Sequence, residues 1–321
     1  MVEEGRSGHA LFMDWLALRG TLRDAIARLI GAPSDCIALT TSTTEGCDIV
    51  VAGLRLRPGD EVVTTDVEHP GLLGALRAWE LDVRVARVRD RPAAHALDAF
   101  EEAITPRTRL IAVSHVAWTT GAVLPVRELA ATGAPLLVDG AQSAGAIPVE
   151  VEALGCDFYT VSGQKWLVGP EATGALYVRR DRIDELRMTF PSYASWQDVS
   201  ALEPWPDARR YESVFIPAGS TAGLLQSITF AEELGPERFE RARATAERCR
   251  DLLQERVEVV TEPHQATLVS FKPNEPADAV VKRLEEQGVV VRDMPGLGWV
   301  RASCGFWTSE DDLERLADGL A

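Results

Sequence analysis

Positive charge is scarce in this chain of 321 residues: 33 Lys and Arg stand against 49 Asp and Glu, a formal net charge of −16 at pH 7. No basic stripe remains to neutralise a run of phosphates, which excludes nucleic acid as a partner, and an anionic membrane surface would repel the chain. Long apolar runs are missing too. None reaches the roughly 18 residues of a membrane span. The opening stretch, MVEEGRSGHALFMDW, is acidic and polar rather than a basic segment leading into an apolar one, so no secretion signal is expected. Cysteine is sparse. Cys36, Cys47, Cys156, Cys249 and Cys304 are scattered, odd in number and free of any Cys-x-x-Cys pair. That pattern excludes a zinc or dithiol motif and fits free thiols in a reducing cytoplasm. Repeats and low-complexity segments are also absent. The composition, 46% hydrophobic and 26% charged, is that of an ordinary globular protein.

What is present is a rhythm. FMDWLALRGTLRDAIARLIGA (12–32) has the apolar spacing of an opening helix. Short apolar runs then alternate with helical stretches. CIALTT, DEVVTTD, DVRVARV, RLIAVSHV, PLLVDGA and CDFYTV read as strands, and TEGCDIVVAGL, HPGLLGALRAWEL, DAFEEAI and PVRELAAT as the helices between them. Near-continuous apolar strands separated by helices predict an α/β fold, a parallel sheet covered on both faces. From about Phe230 the rhythm changes to a long charged helix (235–257), strands at 266–273, 289–294 and 298–307, and helices at 277–288 and the end, a smaller α+β unit. The division expected is a large domain over 1–229 and a small one over 230–321.

Ligands of such sheets sit outside the carboxyl ends of the strands. Collected in order, those ends carry TTSTTEG (40–46), DVEHPG (66–71), SHVAWTTG (114–121), VDGAQSAG (138–145) and VSGQKWLVGP (161–170). Hydroxyl residues opening a helix suit a phosphate, although alone they read as an ordinary N-cap. His69 alone reads as a surface histidine, and Asp139, ending a strongly apolar strand, as half of a structural ion pair. Lys165 is harder to dismiss. A lone lysine at the end of a buried strand neutralises, pairs or reacts. A phosphate cradle, an imidazole, a buried carboxylate and a single lysine at successive ends of one sheet form the set that pyridoxal phosphate requires. The lysine forms its Schiff base, and the acid keeps the pyridine nitrogen protonated.

TTEGC, GDEVVTTDVEHPGLL, LVDGAQSAG, KWLVGP with GALYV, and VRASCGFWTSEDDLERL together resemble the class V aminotransferase family of fold-type I pyridoxal-phosphate enzymes, which includes the cysteine desulfurases. Within it the chain is most similar to the L-cysteine/cystine C–S lyase group. The resemblance runs almost the whole chain. It implies a mainly parallel seven-stranded-type sheet, with Lys165 as the Schiff-base lysine, Asp139 at the pyridine nitrogen, and His69 stacked on the ring. It further implies Gln142 on the phenolic oxygen, Thr43, Thr44 and Ser162 on the phosphate, and Arg301 on the substrate α-carboxylate. PAGST resembles the segment that reaches a neighbouring subunit's phosphate, so Ser220 would make that contact in a homodimer with shared active sites.

Three departures stand out. Gln164 replaces the family's usual His before the lysine, and Trp118 replaces its Asn. The chain also opens at what would be the family's second segment, the first of which helps line the pocket. The activity implied is C–S β-elimination on a cysteine- or cystine-type substrate through aminoacrylate. Desulfurase, aminotransferase, epimerase and a non-enzymatic scaffold are the alternatives. A desulfurase needs a mobile cysteine nucleophile, and Cys304, just beyond Arg301, is expected to be a packed thiol instead.

Overall fold

The computed structural model of the chain describes residues 8–213 and 215–320. Helix α1 (His9–Ile30) buries Leu22, Ile26 and Ile30 and ends at Gly31, whose φ of 63° is the left-handed conformation that suits glycine. Two arginines on α1 dock it. Arg19 and Arg23 both donate to the buried carboxylate of Glu212, the latter at 2.6 Å, and the same carboxylate accepts from Leu39 N–H at 3.1 Å. One paired anion thus joins α1 to the sheet.

The sheet is built by β1 (Ile37–Thr40), α2 (Thr43–Gly53), β2 (Glu61–Thr65), α3 (Pro70–Arg77), β3 (Asp82–Ala86), α4 (Ala96–Ala103), β4 (Thr108–Ser114), α5 (Val126–Ala130), β5 (Leu136–Asp139), α6 (Val151–Leu154), β6 (Phe158–Ser162) and β7 (Gly174–Val178). Its seven strands lie in the order β1-β7-β6-β5-β4-β2-β3. Strand alternation divides the side chains between two cores. Leu136, Val138, Tyr159 and Val161 enter one, and Leu137, Phe158, Leu176 and Val178 the other. That two-sided burial explains why the strands read as unbroken apolar runs.

The expected parallel arrangement holds for β2 through β6. β7 was absent from the alternating pattern and runs antiparallel to both β6 and β1. Residues 163–173 between β6 and β7 are too few for a helical crossover, so the chain must return antiparallel. Lys165 sits on that return.

Beyond a two-stranded ribbon of β8 (Trp196–Asp198) and β9 (Glu203–Pro204), helix α7 (Ala218–Glu233) packs Leu224 and Ile228 into the first core. Then come α8 (Glu237–Gln254), β10 (Glu258–Val259), β11 (Leu268–Lys272), α9 (Ala277–Glu286), β12 (Arg292–Met294), β13 (Trp299–Ser303) and α10 (Glu310–Asp318). Their strands form an antiparallel sheet in the order β10-β11-β13-β12 over a separate core that includes Leu253, Phe271, Leu284, Val300 and Leu313.

This second sheet is fastened to the loop after β4 by hydrogen bonds to three consecutive carbonyls. Arg301 donates to Trp118 O at 2.7 Å, Ser270 to Thr119 O at 2.6 Å and Thr261 to Thr120 O at 2.7 Å. Gly121 follows with φ 76°, and a Cβ there would lie 2.3 Å from Leu268 O, so the approach needs glycine. No helix among the described residues is long and apolar enough to cross a membrane.

Candidate active site

The carboxyl ends of β1, β2, β4, β5 and β6 open on one cavity of about 390 Å³, within the usual range of small-molecule sites. At its floor α2 begins. Ser42 caps the helix by accepting from Glu45 N–H at 3.1 Å, and Glu45 accepts in turn from Thr41 N–H at 2.6 Å. Among the described residues, the first-turn N–H groups of Thr43 and Thr44 have no protein acceptor. The helix start is pressed against β6, since a Cβ on Gly46 would lie 2.7 Å from Thr160 Cγ2. Free amides, two threonine hydroxyls and the positive end of a helix make an anion cradle.

His69 caps α3. Its Nδ1 accepts from Gly71 N–H at 3.0 Å, so the neutral ring carries its proton on Nε2. The indole of Trp118 meets the imidazole edge-on, with ring centroids 5.0 Å apart at 78°. Burial lowers the His69 pKa, helped by the nearby Lys165 charge and opposed by Asp139.

Asp139 ends β5, is 5% exposed and lies beneath the pocket rather than on its surface. Its carboxylate accepts from Ala141 N–H at 2.8 Å. Lys165 forms no ion pair among the described residues. Burial pushes its pKa down, with Arg301 and Arg292 adding to the effect and Asp139 resisting it. The turn carrying it is anchored on both sides, because Trp166 Nε1 donates to Gln142 Oε1 at 2.9 Å and Ser162 Oγ to Gln164 Oε1 at 2.9 Å.

Arg301, on β13, is 8% exposed and has no acidic partner among the described residues. Beyond its bond to Trp118 O, its Nε is buried without an acceptor, and so is Trp118 Nε1. Burial, and then the charge of Arg292, lower its pKa to about 10. Arg292 stands directly opposite it in the β12–β13 ladder.

The pocket therefore gathers Thr43, Thr44, His69, Gln142, Ser162, Gln164, Lys165 and Arg301. Ser220, in the first turn of α7, is half-buried and does not line it. Cys304 is also off the pocket, 1% exposed in the core of the second sheet, where the neighbouring Cys249 and burial raise its pKa. Sequence reasoning did not single out Ser42, Trp166, Arg292, Ser303 and Trp307, which line the same cavity. The one signal available for them was their place in the motifs quoted above, and Arg292 needed the strand register.

The family model for class-V aminotransferases matches residues 3–316. The chain belongs to the class-V aminotransferase family. It is similar to an isopenicillin N epimerase of Streptomyces clavuligerus, at 32% identity over 95% of this chain and 84% of the relative. It is also similar to a probable cysteine desulfurase of Methanothermobacter thermautotrophicus, at 31% over 98% and 86%. Among solved structures, the cystine C–S lyase C-DES, bound to its reaction product cysteine persulfide, superposes with a TM-score of 0.91 at 32% identity, covering 99% of this chain and 90% of that one. A C-DES mutant with glycine covalently linked to its PLP cofactor gives the same TM-score of 0.91 at 31% identity, over 99% and 89%.

A further titratable group underlies this class-V site. Glu68, next to His69 and 5% exposed, accepts from Ser114 N–H at 2.9 Å, Ser114 Oγ at 2.5 Å and Thr65 Oγ1 at 2.7 Å, tying the ends of β2 and β4 together. Burial pushes its pKa up to about 7 against these donors, with a smaller push from Asp139. Because the folded value lies above the ordinary glutamate value of 4.5, the native state holds the extra proton, and stability declines as pH rises through that window. His115, lowered by burial to about 4, acts in the opposite sense: its contribution is lost as pH falls from 6.5. Glu68→Gln removes only the first effect. Urea midpoints measured at several pH values between about 5 and 7 should show the parent losing stability relative to the variant as pH rises. Parallel pH profiles would show that Glu68 does not titrate there.

Proposed function

We propose that the protein is a pyridoxal-phosphate-dependent C–S lyase, acting on a cysteine- or cystine-type amino acid by β-elimination. The observation that carries this reading is the buried guanidinium of Arg301, unpaired and with an orphan Nε–H, in the same pocket as the desolvated Lys165. A buried cation without an anion is costly unless a ligand supplies one, and a planar fork fits a carboxylate.

The residues present fit the cofactor. The free amides and hydroxyls of Thr43 and Thr44, with Ser162 beside them, would hold its phosphate. Asp139, beneath the pocket with one donor on its carboxylate, would meet the ring nitrogen. His69 would lie against the ring, and Gln142 and Gln164 would reach its polar edge. When bound, pyridoxal phosphate supplies a carbonyl for covalent capture of an amino group and an electron sink for the bond that breaks.

The chain's own part follows from its pKa values. Burial holds the Lys165 pKa below the ordinary lysine value, which enlarges the unprotonated share of Nζ, the form that can attack a carbonyl or take the substrate's α-proton. Arg301 fixes the α-carboxylate so that this proton faces Nζ. Arg292 adds positive field that favours the substrate's carboxylate.

A desulfurase reading requires a thiolate within reach of the substrate sulfur. All five cysteines are buried and none lines the pocket. Burial raises Cys36 to about 11, Cys156 to about 12 and Cys47 well above the ordinary thiol value, and a hydrogen bond with Cys249, together with burial, raises Cys304 likewise. β-Elimination needs no such group. The unpaired thiols also fit a reducing compartment, and the reading places the protein in the cytoplasm.

The same reading includes a homodimer, because Ser220 serves a cofactor phosphate only if it reaches the site of a second copy. Light scattering on the cofactor-loaded protein should give twice the mass of the chain, and a monomer that holds the cofactor tightly would contradict it.

Two substitutions separate enzyme from scaffold. Arg301→Ala should keep the visible absorbance of bound cofactor while kcat/KM falls about thirty- to a thousand-fold, equivalent to about 2–4 kcal/mol. Lys165→Ala should leave no cofactor adduct for borohydride to fix. Unchanged turnover in Arg301→Ala would remove it from the site, and lost absorbance would make it structural.

A further inference from the structure

A second cavity, of about 540 Å³, lies against the first. Trp166 and Val168 reach it from the turn after β6, Phe230 from α7, and Phe306 and Trp307 from the segment after β13. Gln226 and Ser227 are its polar members, and among the described residues no Arg, Lys, His, Asp or Glu lines it. Val168, Phe230 and Trp307 are 60%, 51% and 49% exposed. Three large apolar side chains half in water around one hollow form a surface that an apolar ligand would stabilise by covering.

The turn itself is strained. Val168 has φ 54°, a conformation that a β-branched residue holds only when its surroundings impose it. Ser227 on α7 donates to Val168 O at 3.2 Å, and Gly223 lets the Pro170 ring so close that a Cβ would lie 2.6 Å from its Cγ. α7 therefore holds the Lys165 turn in the form that gives the second cavity its wall.

The two cavities share that wall. Trp166 and Trp307 line both, with ring centroids 6.0 Å apart and planes tilted by 39°. Trp307 is folded back over Gly305, where a Cβ would lie 2.4 Å from its ring. It follows directly from the strand end that carries Arg301, so the carboxylate clamp and the shared wall belong to one piece of backbone.

Resting on the lyase reading, we propose that the second cavity is the subsite for the sulfur substituent and takes neutral apolar groups, making L-cysteine S-conjugates with aryl or medium-length alkyl arms substrates of this chain. The Cβ–S bond breaks with its electron pair leaving on sulfur, which takes up a proton. In balance, R–S–CH2–CH(NH3+)–COO− and water give R–SH, pyruvate and NH4+. An uncharged lining discriminates by area rather than by hydrogen bonds, so affinity rises with the apolar surface of the arm.

The experiment compares S-methyl-, S-propyl- and S-benzyl-L-cysteine with the cofactor-loaded parent and with Phe230→Asp, a half-exposed position that does not line the Lys165 pocket. Pyruvate release gives kcat/KM, and equilibrium dialysis of the same three compounds against the Lys165→Ala form of each protein, which lacks the base for elimination, gives affinity without turnover. In the parent, kcat/KM and affinity should rise at least tenfold from the methyl to the benzyl arm. Phe230→Asp should abolish the rise while leaving the S-methyl value within about twofold. Phe230→Ser, milder at a partly exposed site, guards against a folding defect and should reduce the rise in part. Equal constants along the parent series, or a uniform loss in both variants, would overturn the subsite. If no conjugate yields pyruvate, the lyase reading fails separately, and the dialysis series still decides whether the cavity binds the arm.

Discussion

A carboxylate held out of water at the end of β5 is the constraint to which the rest of the site answers. Asp139 needs positive field, and the parallel sheet supplies it by placing the Lys165 turn at the end of the adjoining strand. The chain returns from that turn to β7 over residues 163–173, and β7 runs antiparallel to β6. Lys165, Arg292 and Arg301 then surround a pocket whose lining, among the described residues, includes no Asp or Glu. A chain of net charge −16 thus carries a cationic pocket, whose field favours the carboxylate end of a small zwitterion.

That surplus of cations has a second effect. Each positive charge makes the next harder to keep, so Arg301 lowers Lys165, and Arg292 lowers both. A lysine so placed is easier to deprotonate, the state in which it can attack a carbonyl or accept a proton. The fastening of the second sheet to Trp118, Thr119 and Thr120 is therefore part of the chemistry, because it fixes where the Arg301 charge stands.

Much of this was legible in the sequence, for a physical reason. A parallel sheet brings the carboxyl ends of its strands to one edge, so polar residues after apolar runs converge whatever their separation along the chain. The hydroxyl-rich helix start at 40–46, His69, Asp139 and Lys165 were readable on that ground, and Thr43, Thr44, Gln142 and Arg301 individually through the family motifs around them. The rest depends on register and on chain reversals that local pattern does not encode. Arg292 reaches the pocket only because the antiparallel ladder sets it against Arg301. Trp307 does so because Gly305 lets the chain fold back. β7, a short run directly after the lysine turn, gave no helix-then-strand alternation to mark it.

The reaction the site performs turns on where sulfur goes. The stretch from Arg292 to Arg301, RDMPGLGWVR, contains no cysteine, and the five thiols of the chain are sealed away from the pocket. With no thiolate to strip the sulfur atom, the carbon skeleton must leave as the elimination product. Quantifying both three-carbon products from L-cystine and L-cysteine with the cofactor-loaded protein tests this most directly. Pyruvate and ammonia in equal amounts, without alanine, are the predicted result; alanine as the main product, with sulfur retained on the protein, would contradict it.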